Sequence, residues 1–206
     1  MSREFEMSMM GELTFFLGLQ IKQTRQGTFV HQGKYTKDLL KKFDMGETKP
    51  LSTSMLTTTT LDTDEEGEGM DQKEYRSMSG SLLYLTATRP DIQFTVYLCV
   101  RFQSSPRTSH CQSIKRIMRY LRFTLEFGLW FLASSSLSLC GYSDAEYAGC
   151  RIERKSTLGT CQFIGSSLVS WSSRKQSGIA QSTTEAEYVD AAALDDSYPE
   201  RLWLRV

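Results

Sequence analysis

No two cysteines of this 206-residue chain form a Cys-x-x-Cys pair, and only two histidines, far apart, accompany the five cysteines. A structural zinc site is therefore a poor reading. The odd count of Cys99, Cys111, Cys140, Cys150 and Cys161 fits reduced thiols in an intracellular protein better than a disulfide framework. No apolar run approaches the roughly 18 residues of a membrane span. The opening MSREFEMSMM carries charges where a secretory signal needs an apolar core. The expectation is a soluble protein of the cytoplasm or nucleus, not secreted and without a membrane partner. Net charge is absent too, with 24 basic residues balancing 24 acidic ones, so no global basic field advertises nucleic acid. With 40% apolar and 23% charged residues, the chain is an ordinary globular one, long enough to bury a core in one or two domains.

Charge that is missing from the sum is present locally. Between Asp62 and Glu74 lie Asp64, Glu65, Glu66, Glu68 and Asp71, opposed only by Lys73. From Ile92 to Leu125 there is no acid at all, whereas Arg101, Arg107, Lys115, Arg116, Arg119 and Arg122 are basic. An acidic linker followed by a basic helical stretch is a pattern that a local partner can sense.

The periodicities divide the chain. LTFFLGLQIKQTRQGTFVH (13–31) alternates like two strands around an Arg25-Gln26-Gly27 turn. KYTKDLLKKF (34–43) then has apolar residues at helical spacing. Residues 47–74 have no apolar period and are rich in Thr, Gly and acid; they predict an extended or poorly ordered linker lying over what it connects. Helices follow: one through EYRSMSGSLLYLTAT, stopped at Arg89-Pro90, one over roughly 91–103, and one in SHCQSIKRIMRYLRFT. The last puts Ile114, Ile117, Met118 and Leu121 on one face and Lys115, Arg116, Arg119 and Arg122 around the other. That basic face reads either as a solvated surface or as a phosphate contact. Residues 137–177 alternate as three strands, the last two joined by Gly165-Ser166, and predict an antiparallel meander. STTEAEYVDAAAL (182–194) begins a helix, with Ser182 and Glu185 at capping-box spacing.

The carboxylates of GYSDAEYAG (141–149) are out of place in a strand, where Asp is among the poorest formers. Asp144 and Glu185 could project to one end of the meander, where two carboxylates repel unless a hard, oxygen-seeking cation such as Mg²⁺ joins them. Equally, Glu185 could close its capping box and Asp144 could end a strand. Glu146 and Glu187, two residues on from the candidates, are expected to face elsewhere.

Taken together, YRSMSGSLLYLTATRPDI, RFQSSPRTSH, KRIMRYLRFT, GYSDAEYAGC, RKSTLGT, LVSWSSRKQ and STTEAEYV resemble the Pol polyprotein of copia-type LTR retrotransposons, from about residue 4 to residue 194. The resemblance covers the end of the reverse transcriptase, a connecting region and the start of ribonuclease H. It implies an α+β fold: an N-terminal hairpin and helix (1–46, palm/thumb-like), the acidic linker (47–74), a helical connection region (75–136) and a partial ribonuclease H-like domain (137–206) of three antiparallel strands and one helix. It also implies that FFLGLQI (15–21) is a late palm hairpin gripping a primer strand. Asp144 and Glu185 become catalytic ligands of Mg²⁺, or Mn²⁺ in its place. Lys115, Arg116, Arg119, Arg122 and the Arg174-Lys175 loop become contacts to an RNA–DNA hybrid.

The family's Tyr-x-Asp-Asp polymerase motif does not occur, and Asp195-Asp196 stands in the wrong context to replace it. The fourth strand and later acids expected of ribonuclease H are also missing, which leaves the first meander strand as an edge. Pro199 predicts a break near Ser197–Pro199. The leading expectation is thus a polyprotein fragment, inactive alone, whose partners are nucleic acid and the rest of Pol. Its rivals are a two-metal ribonuclease H completed by a partner chain and a non-catalytic nucleic-acid-binding module.

Overall fold

A computed structural model describes residues 11–55, 61–133, 138–149 and 153–196. The chain is α+β, with two separate antiparallel sheets. Strands β1 (Phe15–Phe16), β2 (Leu19–Thr24) and β3 (Gly27–His31) precede helix α1 (Gly33–Lys42). Helices α2 (Gln72–Leu85), α3 (Pro90–Val100) and α4 (Thr108–Phe123) follow, then strand β4 (Gly128–Leu132). Strands β5 (Leu139–Glu146), β6 (Thr157–Ile164) and β7 (Ser167–Lys175) lead to helix α5 (Thr183–Asp196). The predicted hairpin, helices and meander are all present. The break expected near Ser197–Pro199 lies outside the described residues.

Local chemistry sets the helix boundaries. The Asp71 carboxylate accepts the Glu74 N–H at 2.6 Å and starts α2. Pro90 opens α3 with its fixed φ, at a position where the missing N–H costs nothing. At α4 the His110 ring accepts the Arg107 N–H at 3.0 Å, and its other nitrogen lies 2.8 Å from Asp62 O, which ties the acidic segment to the helix start.

One core joins these helices. Leu39, Leu40, Tyr75, Met78, Leu82, Leu85, Ile92, Val96, Ile114, Ile117, Met118 and Leu121 are all buried in it. Beneath α3, buried Arg89 donates to Asp91 at 2.7 and 2.8 Å and to the Thr124 carbonyl and hydroxyl. A buried guanidinium with this many acceptors fastens the end of α4 to the start of α3.

Where the linker is described, specific anchors hold it. Leu51 N donates to Arg119 O, Met70 N to Pro106 O and Thr108 N to Glu68 O, so it runs pinned along α4.

Strand β4 departs from the expectation of a helical region through residue 136. It pairs antiparallel with β3, Phe29 opposite Trp130, completing a sheet of order β1-β2-β3-β4. The second sheet has order β5-β6-β7, with Asp144 opposite Gly159 and a bulge at Gln162/Phe163. Its tight turn places Gly165 at φ +59°, where a side chain would strain. Strand β5 is an outer strand of that sheet, as the reading of the meander required.

Candidate nucleic-acid-processing site

The β5 register fixes where its acids lie. Side chains alternate along a strand, so Tyr142, Asp144 and Glu146 share a face. Their partners there are Cys161, Gly159 and Thr157, then Trp171, Ser173 and Lys175 on β7. Glu146 was expected to face elsewhere; a spacing of two returns it to the face of Asp144, because the strand period is two and not that of a helix. This face borders Pro90, Gln93 and Phe94 of α3 around a cleft of about 600 Å³. Two contacts hold the sheet there: Trp171 Nε1 donates to Thr86 O at 3.0 Å, and Arg101 donates to Thr157 Oγ1 at 3.2 Å. Gly159 contributes no side chain beside Asp144, which is exposed.

Glu185 sits at the start of α5. Ser182 Oγ accepts the Glu185 N–H at 3.1 Å, and the Glu185 carboxylate accepts the Gln181 N–H at 2.7 Å. Ser182 makes its half of the capping box, whereas the Glu185 carboxylate reaches one residue further back, to Gln181 instead of Ser182, and stays exposed. Among the described residues no hydrogen bond joins it to Asp144, and no three His, Cys, Asp or Glu side chains gather as a metal group.

The acid that does lie beside Asp144 is Asp190. It is 1% exposed, and neither carboxylate oxygen has a hydrogen-bond partner. Burial, reinforced by the negative charge of Asp144, pushes its carboxyl up to about 6. The Asp144 main chain tempers the rise without reaching hydrogen-bonding geometry. Asp190 follows Ala186, also buried, by four residues. That spacing puts both on the side of α5 packed against β5 and β6. A charged residue inside VDAAAL, one turn after a small apolar one, was the available signal, and reading the segment only for its cap missed it.

The basic residues divide into engaged and free. Arg116 donates to Thr53 Oγ1 at 2.8 Å, Arg119 to Lys49 O at 2.7 Å and Arg122 to Thr48 O. Three arginines of the α4 basic face are therefore occupied by the chain's own linker, while Lys115 is exposed. Arg174 and Lys175 belong to the end of β7 and not to a loop. Arg174 is exposed, and Lys175 pairs with Glu153 at 2.6 Å. Cys99 is buried, which pushes its thiol up to about 12 and removes its reactivity at neutral pH.

The described chain is thus α+β, with carboxylates on the outer strand of an open meander and a capped helix packed against it. Comparison with known proteins makes this particular. The chain is 38% identical over 192 residues to the "Retrovirus-related Pol polyprotein from transposon RE2" of Arabidopsis thaliana, covering 93% of this chain and 13% of that one. To the corresponding polyprotein from transposon TNT 1-94 of Nicotiana tabacum it is 36% identical over 214 residues, 100% of this chain and 16% of the relative. An uncharacterized mitochondrial protein of Arabidopsis thaliana is 35% identical over 91% of this chain and 78% of its own length. The chain belongs to the copia-type Pol polyprotein family, and it spans only a small part of the transposon polyproteins it matches. No family model and no solved structure matches it.

Proposed function

We propose that this chain is a segment of the reverse transcriptase–ribonuclease H part of a copia-type polyprotein. In this reading it contributes contacts to an RNA–DNA hybrid and does not cleave the hybrid by itself. The observation that carries it is the pair of neighbouring carboxylates, Asp144 on the cleft face of β5 and Asp190 buried beside it with both oxygens unpaired. Such a pair suits a hard cation that takes oxygen ligands. Mg²⁺ or Mn²⁺ would be held by Asp144 and Asp190, while the Glu185 carboxylate is engaged by the Gln181 N–H. When bound, a divalent ion supplies an activated water and charge stabilisation at the leaving oxygen. Asp144 presents its carboxylate to the cleft, while Ser182 and Gln181 hold the start of α5 and so set where Glu185 hangs.

Inactivity of the isolated chain follows from ligand number. Two ions at nuclease spacing need more carboxylates than the described residues bring together. A second reading, completion by another chain, is favoured by the outer position of β5, whose unpaired backbone groups offer a further strand a place beside Asp144. A labelled RNA–DNA hybrid incubated with the purified chain and Mg²⁺ or Mn²⁺, beside Asp144→Asn, separates the two. Intact hybrid in both samples supports the segment reading. Cleavage lost in Asp144→Asn would overturn the inactivity and establish a completed site.

A further inference from the structure

Between α4 and the strap of residues 45–55 lies a cavity of about 980 Å³, larger than the cleft of about 600 Å³ beside Asp144. Its size falls within the roughly 300–1,000 Å³ of small-molecule sites. Lys49 of the strap and Lys115, Arg116 and Arg119 of α4 line it, as do Asp62 and Asp64. The acids do not neutralise the cations. Asp62 accepts the Asp64 N–H at 3.1 Å, and Asp64 accepts the Ser109 hydroxyl at 2.5 Å. Among the described residues, no salt bridge engages any of the four cations.

The donors of the α4 wall are only partly used. Arg116 gives Nη2 to Thr53 Oγ1 at 2.8 Å, while its Nε is buried with no partner. Arg119 gives Nε to Lys49 O at 2.7 Å. Lys115 stands four residues before Arg119, on the same side of the helix, and is exposed. Buried donors are nearly always paired. An orphaned Nε on a cavity-lining arginine is therefore a place prepared for an acceptor from outside the chain.

The facing wall has a different chemistry. Met45, Leu51 and Met55 make it apolar, and the hydroxyls of Thr48, Ser54 and Thr95 interrupt it. Thioethers make favourable contacts with aromatic rings. An alkyl chain would give these hydroxyls no outward partner, whereas the ring nitrogens and carbonyls of a heterocycle supply them.

We propose that this cavity binds a phosphate monoester carried on a flat heterocycle. The phosphate meets Arg116, Arg119 and Lys115, and the ring lies against Met45, Leu51 and Met55. Guanidinium groups hold phosphate oxygens in pairs, and an ammonium adds a point charge. A basic helix face that was merely solvated would need neither a facing apolar wall nor a buried, unpaired Nε. The cavity shares no lining residue with the cleft beside Asp144 and needs no divalent ion, so the proposal stands independently of the hybrid reading.

The experiment titrates flavin mononucleotide and adenosine monophosphate into the full chain with EDTA present, beside riboflavin, adenosine and inorganic phosphate. Flavin emission follows the flavins, and calorimetry follows the others. The expected result is a monoester bound at least about tenfold more tightly than its dephosphorylated form or phosphate alone, and less tightly as salt rises. The stronger of the two monoesters names the ring. Arg116→Gln should lower affinity about tenfold, and Arg116→Lys should restore part of it. Ser113→Phe, which puts a ring into the cavity from α4, should abolish binding, and thermal melts identify any variant that has not folded. Failure of both monoesters to bind overturns the proposal, as does binding no tighter than that of phosphate or of the dephosphorylated forms. Affinity unchanged in folded Arg116→Gln and Ser113→Phe overturns it equally.

Discussion

The two halves of the molecule are built to different standards of burial. Helices α1–α4 share a core in which Tyr75, Leu82, Leu85, Ile92, Ile114, Ile117 and Leu121 have no exposed surface. Among the described residues, the β5–β7 sheet, α5 and the segment joining them bury Leu158, Ala180 and Ala186 as their apolar residues, while Tyr142, Tyr188 and Val189 stay exposed. The first half is held by apolar area, at about 25 cal/mol per Å² removed from water. The second depends on ladder bonds and on polar contacts to its neighbour, such as Trp171 to Thr86. A scaffold with a deep core thus carries a thinly packed sheet, and the candidate chemistry sits on the thin part.

Core truncation tests this contrast most strongly. Leu82→Ala should cost about 3–4 kcal/mol, and Leu158→Ala about 2 kcal/mol or less, by denaturant melts. Hydrogen exchange should show β5–β7 opening before α2–α4. Equal losses and equal protection would end the comparison.

Arg89→Leu should be nearly as damaging, about 3 kcal/mol, because it strands acceptors fastened under α3. Burial alone would raise the Asp91 carboxyl, but its bonds to Arg89 and Tyr120 hold it below the ordinary value. That contribution is complete above the unfolded-state value near 3.9 and disappears as pH falls through the folded one. In Arg89→Leu the acid limb of the stability profile should flatten, which a pH series of thermal melts reads directly.

Asp190 has the opposite sign. Its folded value of about 6 lies above the unfolded one, so the folded protein binds the extra proton. The sheet–α5 half should therefore gain stability as pH drops from 7 towards 4, by at most about 3 kcal/mol. Asp190→Asn should remove that slope. A slope that survives the substitution would show that Asp190 is not the group responsible. With Mg²⁺ present, the same titration should shift if the ion binds between Asp190 and Asp144.

The smallest effect belongs to the strap. Arg119→Ala loses one charge-assisted bond to Lys49 O at an exposed position, worth about 1 kcal/mol or less. Limited proteolysis in 47–55 should quicken while the melting temperature barely moves.

What the sequence made legible follows the same division. Periodicity located α1, α2, α3 and α4, and the apolar side Ile114, Ile117, Met118 and Leu121 is fully buried as read. The meander and its Gly165-Ser166 turn were legible because alternation and turn chemistry are local signals. GLWFL was not, since a short apolar run at the end of a helical region has no period of its own, and its partner β3 is far away in sequence. The basic face of α4 was legible as charge, but its use in gripping carbonyls of residues 48–49 depends on how the linker returns across it. Asp190 was hidden for a similar reason. Spacing shows which side of α5 it occupies, but its nearness to Asp144 is tertiary.

Strand β4 also has a temporal consequence. Because Gly27 pairs with Leu132, about a hundred residues lie inside the loop that this pairing closes. Closing such a loop in an unstructured chain costs on the order of 4 kcal/mol of entropy before any ladder bond repays it. Helices α1–α4 form from near neighbours and shorten that loop as they assemble, so the zipper between β3 and β4 belongs late in folding. Phe29 and Trp130, opposite one another on that zipper, come together only after the helical core.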